Sequence, residues 1–179
     1  MTGLREVVLR AHEAGLAQTS IRLIGGAALR LAYFERDTTA DIDAEITPLD
    51  DIRKIAAAIG ADRHWPPDWL NADAAMFIPR WGKEVDWLTL YDDGTVSISV
   101  APVEALLAMK LLAGRPGRDT DDIARLLALV GITTTAGAEA LFEAYYPGDS
   151  LTERTVRLID RIFDIGLPEA PPTPPRPQI

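Results

Sequence analysis

Hydrophobic positions change period several times along the chain, and each change marks an element. Leu4, Val7, Val8 and Ala11 recur at helical spacing and predict a helix over 2–15, with Gly15 at its end. "SIRLIGG" is a short apolar strand that stops on two glycines, and "AALRLAYF" returns to helical spacing through Leu29, Ala32 and Tyr33. "TTADIDAEITP" alternates as a strand closed by Pro48. "LDDIRKIAAAIG" then predicts a helix from Asp50 or Asp51 to Gly60. Residues 61–82 are rich in Trp and Pro and predict irregular backbone, with turns at Asn71 and Asp73. "KEVDWLTLY" and "TVSISVA" flank "DDG" as the two strands of a hairpin.

After Pro102 the pattern is helical throughout. "VEALLAMKLLAG" stops at Gly114, and "DTDDIARLLALVG" has Asp119 as its N-cap, with Asp122 close to a capping box. "AGAEALFEAYYPG" and "LTERTVRLIDRIFDIG" are two further helices, and the Pro-rich end predicts a disordered tail. The expected class is α+β. An α/β core over 1–101 is followed by a helical part over 102–166 packed on it, and by a tail over 167–179.

Composition narrows the setting. The 179 residues suffice for a core without staples, and the absence of cysteine excludes a disulfide framework and thiolate metal sites. The first residues lack the apolar core of a signal peptide, and no apolar run reaches membrane-span length. The expectation is a soluble, cytoplasmic protein with no membrane partner. A net charge of −9 argues against broad, non-specific nucleic-acid binding, which rests on neutralised phosphates, and leaves room for a local basic cleft.

The chemistry concentrates in "LIGGAALRLAYFERDTTADIDAEI". Side chains on a strand alternate with period two, so Asp41 and Asp43 point the same way while Ile42 faces the core. Two carboxylates this close repel unless a proton or a cation joins them. Magnesium suits them, being a hard cation held by one or two carboxylates plus substrate phosphates. Gly25 and Gly26 separate the preceding strand from a helix, where a tight turn and free N–H groups suit an anion. Together these features describe a nucleoside triphosphate site.

Each feature also has a plain structural explanation. Asp-x-Asp arises by surface alternation, and a glycine pair is often only a turn. Lys110 can snorkel from an apolar helix. Asp119 and Asp122 suit a helix start, and Arg115 and Arg118 suit a solvated loop. His12 and His64 have no metal-ligand spacing around them, and Trp65, Trp69, Trp81 and Trp87 read as packing residues.

The stretch resembles the signature of the polymerase-β-type nucleotidyltransferase superfamily: strand, glycine pair, helix, then Asp-x-Asp on the next strand. More narrowly, it is similar to the toxin-type branch of the AbiEii and MenT kind. That branch adds a later helical lysine and an Arg-Asp-x-x-Asp-Ile element, here Lys110 in "LLAMKLLAGR" and "RDTDDI" from Arg118. The likeness covers roughly residues 21–127. Two departures stand out. Asp37 holds the position where relatives often carry arginine, with Arg36 one residue further back. The superfamily's third carboxylate falls to Asp86, with Glu84 in the same strand phase.

The resemblance implies a polymerase-β-like mixed sheet with flanking helices and metal-dependent transfer of a nucleoside monophosphate. Asp41, Asp43 and Asp86 would hold Mg2+. Gly25, Gly26, Lys110, Arg115 and Arg118 would hold the nucleoside triphosphate, and Asp119 or Asp122 would orient or deprotonate the acceptor hydroxyl. The implied acceptor is RNA, a tRNA 3′ end, and the implied partner a cognate antitoxin. Two other readings compete: a non-catalytic RNA- or protein-binding module with a decayed site, and transfer to a small molecule or protein.

Overall fold

The computed structural model describes residues 2–35, 41–175 and 179. Arg36 and Asp37 lie outside the described residues. The class is α+β, with one five-stranded mixed sheet and, among the described residues, seven α-helices. The chain divides into two compact units.

The first unit contains Met1–Met76 and Trp87–Ala101. Its elements are α1 (Thr2–Glu13), β1 (Thr19–Leu23), α2 (Gly25–Ala32), β2 (Ile42–Thr47), α3 (Leu49–Arg63), β3 (Leu70–Asn71), β4 (Leu88–Asp92) and β5 (Val96–Val100). A 3-10 turn, Asp73–Phe77, follows β3. The strand order is β3-β2-β1-β5-β4, with β1 antiparallel to β2 and parallel to β5. β4 and β5 form the hairpin predicted around Asp92–Gly94.

Alternation along the strands gives the sheet an apolar and a polar face. Ile21, Leu23, Ala44, Ile46, Ile98 and Val100 are buried on one. Ser20, Arg22, Glu45, Ser97 and Ser99 take the alternate positions and keep contact with solvent. The helices supply the rest of the core. Leu4, Val7, Val8 and Ala11 of α1 are buried, as are Ile52, Ala56 and Ile59 of α3, against which α1 packs.

Three boundaries differ from the sequence expectation. α3 does not stop at Gly60. That glycine is buried inside the helix, where a Cβ would come within 3.1 Å of Pro66 O and 3.2 Å of Trp69 Cδ1. The stop is His64, in the left-handed region at φ 57°. β4 begins at Leu88 rather than at Lys83, so Asp86 precedes the strand. The irregular stretch holds β3, which pairs in parallel with β2 and places Asn71 opposite Asp43.

The second unit contains Phe77–Asp86 and Pro102–Pro172. Its helices are α4 (Val103–Ala113), α5 (Thr120–Val130), α6 (Thr135–Tyr145) and α7 (Glu153–Ile165). α4 is the central one, with Ala105–Met109 and Leu111 buried, and it packs on α5 and α6. Thr134 and Thr152 cap α6 and α7 by accepting from the N–H groups of Gly137 and Thr155. Lys83 N donates to Ala144 O at 2.6 Å, and the Tyr146 hydroxyl donates to Phe77 O, which fixes the Phe77–Asp86 segment to α6. Gly82 lies against the Ala144 and Tyr145 carbonyls with no room for a side chain. Residues 167–175 carry no helix or strand, and 176–178 lie outside the described residues. Among the described residues, no single helix is long and apolar enough to cross a membrane.

Candidate active site

The site starts where β1 ends. Burial alternates through Thr19, Ile21 and Leu23, and the chain then reaches buried Ile24. Ile24 N donates to Asp43 O at 3.0 Å, which extends the β1–β2 ladder one residue toward the turn. Gly25 follows at φ 63°, a conformation that costs an L side chain roughly 1–2 kcal/mol. A Cβ there would also lie 2.6 Å from Asp43 Oδ2. Gly25 therefore meets two separate demands for glycine, the turn and the close approach of a carboxylate.

α2 begins at this glycine, and its apolar face, Ala27, Ala28 and Leu29, is buried. Ile24 at the N-cap offers no side-chain acceptor to the first N–H groups. Those groups have no carbonyl one turn back to bond, and the helix dipole adds positive potential there. Gly26 belongs to this first turn. A carboxylate thus sits beside a helix start whose own cap is apolar.

Asp43 lies on β2, and Asp41 immediately precedes the strand; both are half-buried. Period-two alternation carries the acidic series on to Glu45, which accepts from Arg22 Nη1 at 3.1 Å across the β1–β2 pair. Among the described residues, no group of three or more His, Asp or Glu side chains is arranged to hold a metal ion. Magnesium does not require such a cage, because substrate oxygens and water complete its shell. Asp41 and Asp43, with the glycine cradle beside them, fit that donor set.

Asp86 is exposed and precedes β4, which forms one edge of the sheet. β2 has β1 and β3 as its neighbours, and two strands separate it from β4. The residue in register with Asp43 on the adjoining strand is Asn71. Its amide is taken up locally, accepting from Asp73 N at 2.9 Å and donating to Asp68 O at 3.2 Å.

The remaining expected residues belong to the second unit. Lys110, in the last turn of α4, lies 2.5 Å from Asp119 Oδ1 and 3.0 Å from Asp122 Oδ2. Arg115 Nε donates to the other Asp119 oxygen at 3.1 Å. Asp119 is fully buried and Lys110 nearly so, with 1% and 11% side-chain exposure, while Arg118 is exposed. Asp119 occupies the N-cap position of α5, but its side chain makes no capping bond. The expected capping role is thus replaced by an ion cluster. A buried carboxylate with two cations in reach gains more from them than from a helix N–H.

Two features depend on strand register and packing rather than on local sequence pattern. Arg22 lies 5.3 Å over the Trp87 ring and pairs with Glu45, a contact set by strand register. Trp81, read as a packing residue, is 90% exposed, whereas Trp69 is buried and donates to Ala56 O at 2.8 Å.

Comparison of the chain with protein-family models, with curated proteins and with solved structures gives no match.

Proposed function

We propose that the chain is a metal-dependent nucleotidyltransferase of the polymerase-β-like type, moving a nucleoside monophosphate from a triphosphate to an acceptor hydroxyl. Following the resemblance, the acceptor is a tRNA 3′ end, and the setting is a toxin paired with an antitoxin. The observation that carries the reading is Gly25, left-handed and packed 2.6 Å, at its missing Cβ, from the Asp43 carboxylate at an apolar-capped helix start.

In this reading Asp41 and Asp43 hold Mg2+, which when bound offsets negative charge on the attacking and leaving oxygens. Gly25, Gly26 and the first N–H groups of α2 receive the phosphates that become pyrophosphate. The acceptor oxygen forms a bond to the α-phosphorus. The bond from that phosphorus to the bridging oxygen breaks, pyrophosphate departs, and the hydroxyl proton passes to solvent. The phosphate and acceptor roles implied for Lys110, Arg115, Asp119 and Asp122 carry less weight, because those charges are already paired with one another inside the second unit.

Calorimetry tests the binding half of the reading. A triphosphate titrated into the protein is expected to bind with Mg2+ present and to lose that binding in EDTA or in Asp43→Ala. Equal binding with and without the metal would contradict it.

A second reading, a binding module without turnover, draws support from Asp86. The expected third acid lies ahead of the β4 edge strand, and a neutral Asn71 stands beside Asp43. RNA binding indifferent to Mg2+, with no pyrophosphate released, would favour that module.

A further inference from the structure

We infer that the polar face of the sheet beside Asp43, centred on Arg22, is the seat of the acceptor, and that the acceptor it fits is the end of a single-stranded polynucleotide. The inference rests on nucleotidyl transfer at Asp41 and Asp43.

Strand register supplies the geometry. Arg22 on β1 is opposite Glu45 on β2 and Ser99 on β5, and Ser99 is opposite Thr89 on β4. These four residues form one row across the sheet, on the face that Asp43 shares. The row lies two residues from Asp43 along β2, a spacing of about 7 Å. It lies on the side away from the glycine turn, since β1 runs from Arg22 toward Gly25 and β2 runs from Asp43 away from it.

In-line displacement turns that direction into an assignment. The attacking and leaving oxygens stand on opposite sides of the phosphorus undergoing substitution. If the leaving pyrophosphate lies at Gly25, Gly26 and the start of α2, the acceptor hydroxyl approaches from the opposite side. That side carries the Glu45–Arg22–Ser99 row.

The side chains there match one class of ligand. The Arg22 guanidinium carbon lies over the Trp87 ring, 5.3 Å from its centre, and Nη1 donates to Glu45 at 3.1 Å, yet the side chain stays 45% exposed. Its outward N–H groups suit a backbone phosphate. The indole and guanidinium together form a platform on which any base can stack, as in sites for single-stranded nucleic acid. One oriented arginine beside the carboxylates also reconciles phosphate binding with a net charge of −9.

The plain alternative is a solvated sheet face carrying a cross-strand ion pair. Such a pair moves stability slightly and has no effect on a ligand. The test uses the full chain and a short single-stranded RNA with a fluorescent label at its 5′ end. Anisotropy is read without triphosphate, followed by transfer kinetics with each substrate varied in turn. Arg22→Gln is expected to weaken RNA binding and to raise the KM for RNA by about tenfold. The KM for the triphosphate and the melting temperature should stay close to wild type. Arg22→Lys, which keeps the charge and loses the planar stacked fork, is expected to fall in between. Equal RNA binding by wild type and both variants, or no RNA binding by wild type, overturns the acceptor seat, even if transfer to some other acceptor is seen. Arg22-dependent RNA binding without any transfer overturns the nucleotidyl-transfer reading, and with it the acceptor role, and leaves this face as an RNA-binding surface.

Discussion

Gly25 and Asp43 are packed so closely that a Cβ on the glycine would lie 2.6 Å from a carboxylate oxygen of the aspartate. The backbone at Gly25 is also left-handed, at φ 63°. Chain direction and charge placement are therefore fixed by the same two residues, one opening α2 and the other on β2.

Gly25→Ala is expected to destabilise the first unit by about 1–3 kcal/mol through strain at a positive φ, with a further cost from displacing Asp43. Thermal melting of Gly25→Ala, Asp43→Ala and the double variant separates the two contributions. The double variant should be more stable than the sum of the single losses predicts, because removing the carboxylate relieves the clash and leaves only the strain. Simple additivity would show that the carboxylate does not press on position 25.

Lys110→Ala is expected to cost about 3–5 kcal/mol, the usual result of stripping one partner from a buried ion pair. Asp119 and Asp122 would both lose the ammonium they share, while Arg115 still reaches Asp119. Urea unfolding should show the loss, and Lys110→Met combined with Asp119→Leu and Asp122→Leu should recover much of it. A Lys110→Ala protein as stable as wild type would contradict the buried cluster.

How much of this was legible in the sequence depends on the range of the interaction. The succession of β1, glycine turn, α2 and β2 follows from local period and turn chemistry, as does the hairpin at Asp92–Gly94. Asp119 looks like a helix cap because its neighbours are those of a cap. The cation that claims it sits nine residues back on another helix, and only the helix crossing brings the two together. Gly60 resembles a helix stop, yet Trp69 and Pro66 pack against it and α3 continues to Arg63. Strand order was equally out of reach. Nothing in the alternation of β2 or β4 encodes that β1 and β5 stand between them.

The hairpin carries a pH-dependent contribution. Asp93 is held well below the usual carboxylate range, chiefly by the Tyr91 hydroxyl, then by the N–H groups of Val96 and Thr95, and by His12. A depressed folded-state pKa means that the stabilisation is full above the unfolded value and is lost as pH falls toward the folded one. The melting-temperature gap between wild type and Asp93→Asn should therefore be level above about pH 5 and shrink below about pH 4. It is best measured in a His12→Gln background, which isolates the hydrogen bonds from Tyr91, Val96 and Thr95. A gap that stays constant down to the acid limit would contradict the role given to these hydrogen bonds.

Nucleotidyl transfer is read without intermediaries by the movement of label from an α-labelled triphosphate. The full chain is incubated with total RNA, each of the four triphosphates in turn, and Mg2+. Labelled RNA and released pyrophosphate are expected with at least one base. Both should disappear in EDTA, and both should be lost in Asp41→Ala and Asp43→Ala proteins that still melt cooperatively. Labelling that survives both substitutions, or that proceeds equally in EDTA, would contradict the assignment of the site.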